Sequence, residues 1–118
     1  MQVKTAELEK VALDYALAKA EGKEFCIANN LCDEKRIWLH GGTWAYMHTD
    51  PNICIGLIDQ HKISLSPNPW FAKALVVGGE SRFITAFGST LAEAVARCVV
   101  SLKIGDVVEI PDELMETT

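Results

Sequence analysis

The segment 70–105 constrains the fold most strongly, because it predicts a β-hairpin followed at once by an amphipathic helix. Two apolar runs, 70–77 and 81–87, are separated by Gly78-Gly79-Glu80. Glycine in a short connection between two such runs is typical of a hairpin. Alternation along the second run places its large aromatic side chains on one face of the strand.

The helix after this hairpin has clear start and stop signals. Thr90 and Glu93 have the spacing of a capping box, with Thr90 as the N-cap. Apolar residues then recur at helical spacing, at Leu91, Val95, Cys98, Val99 and Leu102. Gly105 is suited to close the helix in a left-handed conformation.

The rest of the chain predicts a second helix and several short strands. The helix covers about 6–20, with Thr5 as its N-cap and Gly22 as its stop. We expect strands over 25–28, 36–40, 53–58, 62–65 and 106–110, and a frayed acidic tail over 113–118. Helix, strands, helix and strand in this order indicate one α+β domain over 1–118. Its antiparallel or mixed β-sheet should carry two main helices on one face.

Composition and charge narrow the function classes. The chain has 118 residues and a net charge of −5, with 16 acidic and 11 scattered basic residues. Phosphate-backbone recognition requires a basic face, so we do not expect nucleic acid to be a partner. No apolar leader or bilayer-length apolar run is present, and we therefore expect a cytoplasmic protein with no membrane role.

Cysteine and histidine usage predicts no metal or cofactor. The four cysteines and three histidines lack the paired spacing of structural zinc sites. We expect the cysteines to be reduced, small and buried. A Cys/His nucleophile pair remains a less favoured alternative, since it requires a proximity that spacing does not establish.

Aromatic and arginine residues supply the candidate binding site. Tryptophan is common at binding hot spots, and arginine pairs readily with anions, although core packing and surface pairing are their more frequent roles. Asp14 lies between apolar positions of the first helix, either at its solvent edge or buried as an anchor or site residue. The candidate ligand- or partner-binding residues are Trp70, Arg82, Arg36, Trp44, Asp50, Asp14 and Arg97.

Several motifs resemble the NinX-like proteins of tailed bacteriophages and prophages. They lie at 3–8, 12–16, 18–22, 92–101, 105–106 and 108–111, with looser matches at 49–50, 57–58, 62–63 and 70–72. The chain departs from the family pattern at Tyr15, Pro51 and 59–61. The resemblance implies a small accessory phage protein in a bacterial host and no particular activity. The resemblance suggests that six positions are shared with the family, namely Asp14, Tyr15, Asp50, Trp70, Arg97 and Asp106.

Three functional hypotheses follow. The first is a non-enzymatic binding protein, expected to be a homo-oligomer, that modulates a host protein or sequesters a small anionic molecule such as a nucleotide signal. The second is a small metal-assisted hydrolase or nuclease that clusters Asp50, Asp59 and His61. The third is a dimerisation module in which 53–58 forms an exposed edge strand.

Overall fold

A computed structural model describes residues 1–41, 45–76 and 82–114, with only the backbone described at Val76 and Arg82. The elements are β1 (Gln2–Lys4), α1 (Lys10–Ala20), β2 (Phe25–Asn29), β3 (Lys35–Leu39), β4 (Ala45–Tyr46), α2 (Pro51–His61), β5 (Ser64–Ser66), β6 (Trp70–Val76), β7 (Arg82–Gly88), α3 (Leu91–Lys103) and β8 (Val107–Glu109). The expected α+β class with antiparallel pairing is confirmed. The described strands form three small sheets, β1–β8, β2–β3–β4 and β5–β6–β7.

The predicted hairpin and capped helix are both present. β6 and β7 pair antiparallel from Trp70 opposite Gly88 to Val76 opposite Arg82. Thr90 Oγ1 accepts a hydrogen bond from the Glu93 amide at 3.1 Å. The Glu93 carboxylate accepts from the Ser89 amide at 3.0 Å, and therefore reaches one residue further back than a standard capping box.

Helix α3 forms the centre of the core. Val95, Cys98 and Val99 are at most 1% exposed. The inner face of the β6–β7 hairpin is lined by small alanines, which allow the helix to approach the strands closely. Helix and strand are in close contact at Gly88, where a Cβ atom would lie 2.5 Å from the Ala94 backbone nitrogen.

Helix α1 begins later than predicted. Thr5 does not cap it, because residues Thr5–Glu7 form a separate 3₁₀ turn and Glu9 is the N-cap. The Thr5 hydroxyl instead donates to the Gly105 carbonyl at 2.6 Å, and the Thr5 amide donates to the Asp106 carbonyl at 2.8 Å. These bonds continue the β1–β8 ribbon, which joins the two ends of the chain.

The strand prediction for 53–58 is wrong, because this segment lies inside α2. Asp50 caps the helix by accepting from the Asn52 amide at 2.9 Å, and Pro51 occupies the first turn, where its missing N–H costs nothing. The dimerisation hypothesis that required an edge strand here loses its basis. A frayed tail from 113 is also wrong in part, since Leu114 is buried and 115–118 lie outside the described residues.

Across the described residues, no helix combines the length and the apolar character that crossing a bilayer requires.

Candidate ligand-binding cleft

The β2–β3 hairpin positions the candidate site. Its turn is organised by Asn30, whose side-chain oxygen accepts from the Cys32 amide at 2.9 Å and the Glu34 amide at 3.0 Å. An asparagine side chain that mimics a backbone turn in this way fixes the connection. The strands are thereby held in a register that pairs Cys26 with Trp38 and Ala28 with Arg36.

Alternation along β3 separates core residues from site residues. Ile37 is fully buried, while Arg36 and Trp38 lie on the opposite face of the strand. Both line a cleft of about 740 Å³ between this face and the start of α2. The cleft is lined by Asn30, Leu31, Cys32, Arg36, Trp38, Ala45, Met47, Thr49, Asp50 and Pro51.

Two contacts set the chemistry of this cleft. The Trp38 indole N–H donates to the Ala28 carbonyl at 3.1 Å, which holds the ring in one orientation across the hairpin. The Arg36 guanidinium lies 3.4 Å from the Glu34 carboxylate, and the Arg36 side chain is 27% exposed. An exposed pair of this kind is weak, so Arg36 can exchange Glu34 for another anion.

The far wall of the cleft carries the opposite charge. Asp50 lines the cleft while its Oδ1 atom caps α2. The cleft therefore offers one guanidinium, one carboxylate and an indole ring. This set can bind a flat molecule that carries one anionic group and hydrogen-bond donors.

Of the seven sequence-predicted residues, Arg36 and Asp50 are the two that the described structure places in this cleft. Trp44 lies outside the described residues, and the side chain of Arg82 is not described. Trp70 packs partly buried against the core at the start of β6, on the same face as buried Ala72. Trp70 is not among the residues that line this cleft.

The sequence-based candidate set missed Trp38. The signal that identifies it is its position two residues after Arg36 on a strand. This spacing puts both side chains on one face.

Asp14 is a buried anchor. It is 3% exposed, and its Oδ1 atom accepts from the His48 amide at 2.7 Å and lies 2.6 Å from His48 Nδ1. His48 itself is 7% exposed although it lies in a turn. The pair ties α1 to the segment that leads into α2, well inside the fold.

Tyr46 lies near this anchor and is also buried. Its pKa is raised well above the ordinary value, first because the hydroxyl is buried and then because the Glu21 and Asp14 carboxylates are near. A second carboxylate–histidine contact, Glu21 Oε2 to His61 Nε2 at 3.2 Å, links the ends of α1 and α2. Both contacts connect separate elements of the fold.

Arg97 has a structural role in joining three parts of the fold. Its Nε atom donates to the Leu8 carbonyl and its Nη1 atom to the Phe87 carbonyl, each at 2.9 Å. Nη1 also lies 3.1 Å from the Glu93 carboxylate. One guanidinium thus joins α3, the end of β7 and the segment before α1.

The cluster that the hydrolase hypothesis requires is not formed. Asp50 and Asp59 are near opposite ends of α2, roughly 14 Å apart along an axis with the usual helical rise. His61 faces Glu21. Among the described residues, no group of three or more His, Cys, Asp or Glu side chains is arranged to hold a metal ion.

The cysteines divide into two classes. Cys54 and Cys98 are buried, as expected, and burial raises the pKa of both thiols, that of Cys98 to about 11. Cys26 and Cys32 are exposed on the β2–β3 hairpin, so the expectation that all four are buried is wrong for these two.

Comparison of the sequence with known proteins identified no relative. Neither a scan against protein-family models nor a search of curated proteins found a match to this chain.

Proposed function

We propose that this protein is a non-enzymatic binding protein that takes a small, flat, anionic ligand in the Arg36–Trp38 cleft. The observation that carries the proposal is the placement of these two side chains on one face of β3, in a cleft of about 740 Å³. This volume lies within the range of ordinary small-molecule sites.

Trp38 is the stacking element. Its ring is held by the indole hydrogen bond to Ala28 before any ligand arrives. A side chain that is already ordered loses little conformational entropy on binding, and this favours affinity. An indole face also stacks well on a heteroaromatic ring.

Arg36 is the anion-binding element. Its weak contact with exposed Glu34 leaves the guanidinium able to form a bidentate pair with a phosphate or carboxylate. Asp50, across the cleft, favours a ligand that also carries hydroxyl or amino donors. A nucleoside monophosphate combines these features, and it is the ligand class that we favour.

The NinX-like resemblance fits this proposal without specifying it. A small accessory phage protein that sequesters a nucleotide would act in the cytoplasm of the bacterial host. Its partner would be a host metabolite.

AMP is the probe for this site. We expect calorimetry to give a dissociation constant on the order of 10–100 μM. Trp38→Ala should weaken binding by roughly tenfold or more through lost stacking. Arg36→Gln should weaken it by about tenfold through the lost charged hydrogen bonds.

A matched control tests whether the arginine acts through contact or through net charge. Lys35→Gln removes one positive charge from the adjacent β3 position, on the other face of the strand. It should leave AMP affinity unchanged within about twofold. Equal losses in Arg36→Gln and Lys35→Gln would contradict the proposed contact.

A second candidate function, self-association, is favoured by the outer face of the β5–β6–β7 sheet. We define the aromatic face as Phe71, Lys73, Leu75, Phe83, Thr85 and Phe87. Phe83 and Phe87 are 56% and 57% exposed and Leu75 is 47% exposed. These three side chains expose about 300 Å² of apolar surface, which is at the lower end of the largest apolar patch on a typical soluble monomer, a patch that is often functional.

The charge on this face favours a second copy of the chain as the partner. Lys73 is the one charged residue of the aromatic face, and its ammonium lies 4.2 Å above the Phe83 ring. Two copies that each carry a net charge of −5 repel each other, but the aromatic face carries no acidic residue and its one cation is stacked on Phe83, so the contact itself adds no acid–acid repulsion. The small area indicates weak, reversible dimers.

Sedimentation velocity tests this second candidate. We expect the wild-type protein to form dimers at roughly 100 μM, since the patch is smaller than a standard interface. Phe83→Ser should remain monomeric at that concentration. A wild-type protein that stays monomeric, or a Phe83→Ser protein that dimerises equally, would overturn the assignment.

A further inference from the structure

A second cavity, distinct from the Arg36–Trp38 cleft, lies between the β1–β8 ribbon, the end of β7 and the outer surface of α3. Its volume is about 400 Å³. It is lined by Lys4, Thr5, Ala6, Thr85, Ala86, Phe87, Arg97, Ser101, Asp106 and Val107. None of these residues lines the Arg36–Trp38 cleft, while Thr85 and Phe87 also belong to the aromatic face described above.

The guanidinium of Arg97 is presented to this cavity in a fixed orientation. Its Nε and Nη1 atoms are held by Leu8, Phe87 and Glu93. In the described part of the chain, Nη2 donates to no protein acceptor, and no buried side-chain nitrogen lacks a hydrogen-bond partner. The Arg97 side chain is 13% exposed, and Nη2 is the guanidinium nitrogen that is left to donate to a carboxylate.

The rim of the cavity carries two opposite charges. Lys4 and Asp106 are both exposed, and among the described residues neither has an ion-pair partner within 4.0 Å. They are held near each other because the β1–β8 register sets Lys4 opposite Val107, the residue after Asp106. A ligand with both a carboxylate and an ammonium group can satisfy the two charges together.

The remaining walls are apolar. Phe87, Ala6 and Val107 form a surface on which an aliphatic or aromatic group can pack. The volume suits a molecule of the size of a single amino acid, at the small end of ligand sites.

We propose that this cavity binds a free apolar α-amino acid. The carboxylate pairs with Arg97 Nη2 and Lys4, the ammonium group pairs with Asp106, and the side chain packs on Phe87 and Val107. The site is independent of the Arg36–Trp38 cleft.

Leucine and two single-charge analogues test the proposal. Titration of ¹⁵N-labelled protein, followed by NMR, should give saturable shifts at the amides of Thr5, Ala6, Thr85 and Val107. The expected dissociation constant is on the order of 1 mM or tighter, given the few atoms of the ligand. 4-Methylpentanoate lacks the ammonium group and isopentylamine lacks the carboxylate, so each should bind about fivefold more weakly than leucine or worse.

Substitutions at the two exposed rim residues test the positive and the negative charge of the rim separately and leave Arg97 in place. Asp106→Asn should weaken leucine binding by about fivefold while leaving 4-methylpentanoate binding unchanged. Lys4→Gln should weaken both ligands. Asp59→Asn removes an exposed carboxylate from α2, away from this cavity, and is the control, with no expected effect.

The opposite results overturn the assignment. Absence of saturable shifts with leucine would show that no amino acid binds here. Equal binding of leucine and 4-methylpentanoate would show that Asp106 does not bind the ammonium group. Shifts confined to the Arg36–Trp38 cleft would show that leucine does not bind in this cavity.

Discussion

Replacing Asp14 with alanine is expected to lower the free energy of unfolding by about 3–5 kcal/mol. The carboxylate is 3% exposed and bonds both the backbone amide and the ring of His48. Its removal leaves these donors buried without an acceptor and opens a gap between α1 and the turn before α2. Urea denaturation of the two proteins measures the difference.

Asp14→Asn is the matched control. Its amide oxygen can still accept from the His48 backbone N–H, so the loss should be smaller, about 1–2 kcal/mol. A double-mutant cycle with His48→Ala isolates the pair, because two residues in contact show a coupling energy that distant residues lack. An Asp14→Ala protein as stable as wild type would contradict the anchor role.

Gly88→Ala should destabilise the protein by about 2–3 kcal/mol, as an overpacked core position does. The added Cβ would meet the Ala94 nitrogen at 2.5 Å and the Ala94 Cα at 3.0 Å. Both are backbone atoms of α3, so they yield only if the helix moves away from the β6–β7 hairpin. Thermal and urea unfolding report the loss.

Gly56→Ala is the control for this substitution. Gly56 lies within α2, and a Cβ there meets no atom within 4 Å. The same chemical change should therefore stabilise the protein by about 0.5–1 kcal/mol through helix propensity. Equal effects at the two glycines would show that close packing at Gly88 is not what matters.

Local signals in the sequence were sufficient to predict the main elements in the second half of the chain. The β6–β7 hairpin and α3 follow from a glycine-containing connection and from Thr90 with Glu93, all within a few residues of one another. The segment 53–58 was mistaken for a strand because a short apolar run does not distinguish strand from buried helix. The segment is preceded by Asp50 and Pro51, and a capping residue followed by proline is the signal that identifies the start of helix α2.

Contacts between distant parts of the chain were beyond prediction. Asp14 was noticed as a polar residue among apolar ones, but its partner His48 is 34 positions away. The β1–β8 ribbon pairs the two ends of the chain in the same way. Neither contact leaves a local pattern.

The residues of the candidate cleft were predicted only in part, because they come from separate elements of the fold. Arg36 and Asp50 were expected at a binding site, but their convergence depends on the β2–β3 hairpin and on α2 starting at Pro51. Trp38 was left out of the candidate set, although strand alternation places it on the same face as Arg36.

An NMR titration with AMP tests the Arg36–Trp38 cleft most directly, because it reports where a ligand binds as well as how tightly. We expect saturable shifts of the Trp38 indole N–H and of the amides of Cys32, Arg36 and Thr49. Adenosine, which lacks the phosphate, should produce weaker shifts of the same groups. Absence of saturation, or shifts that map away from these residues, would contradict the proposal that this cleft is the functional site.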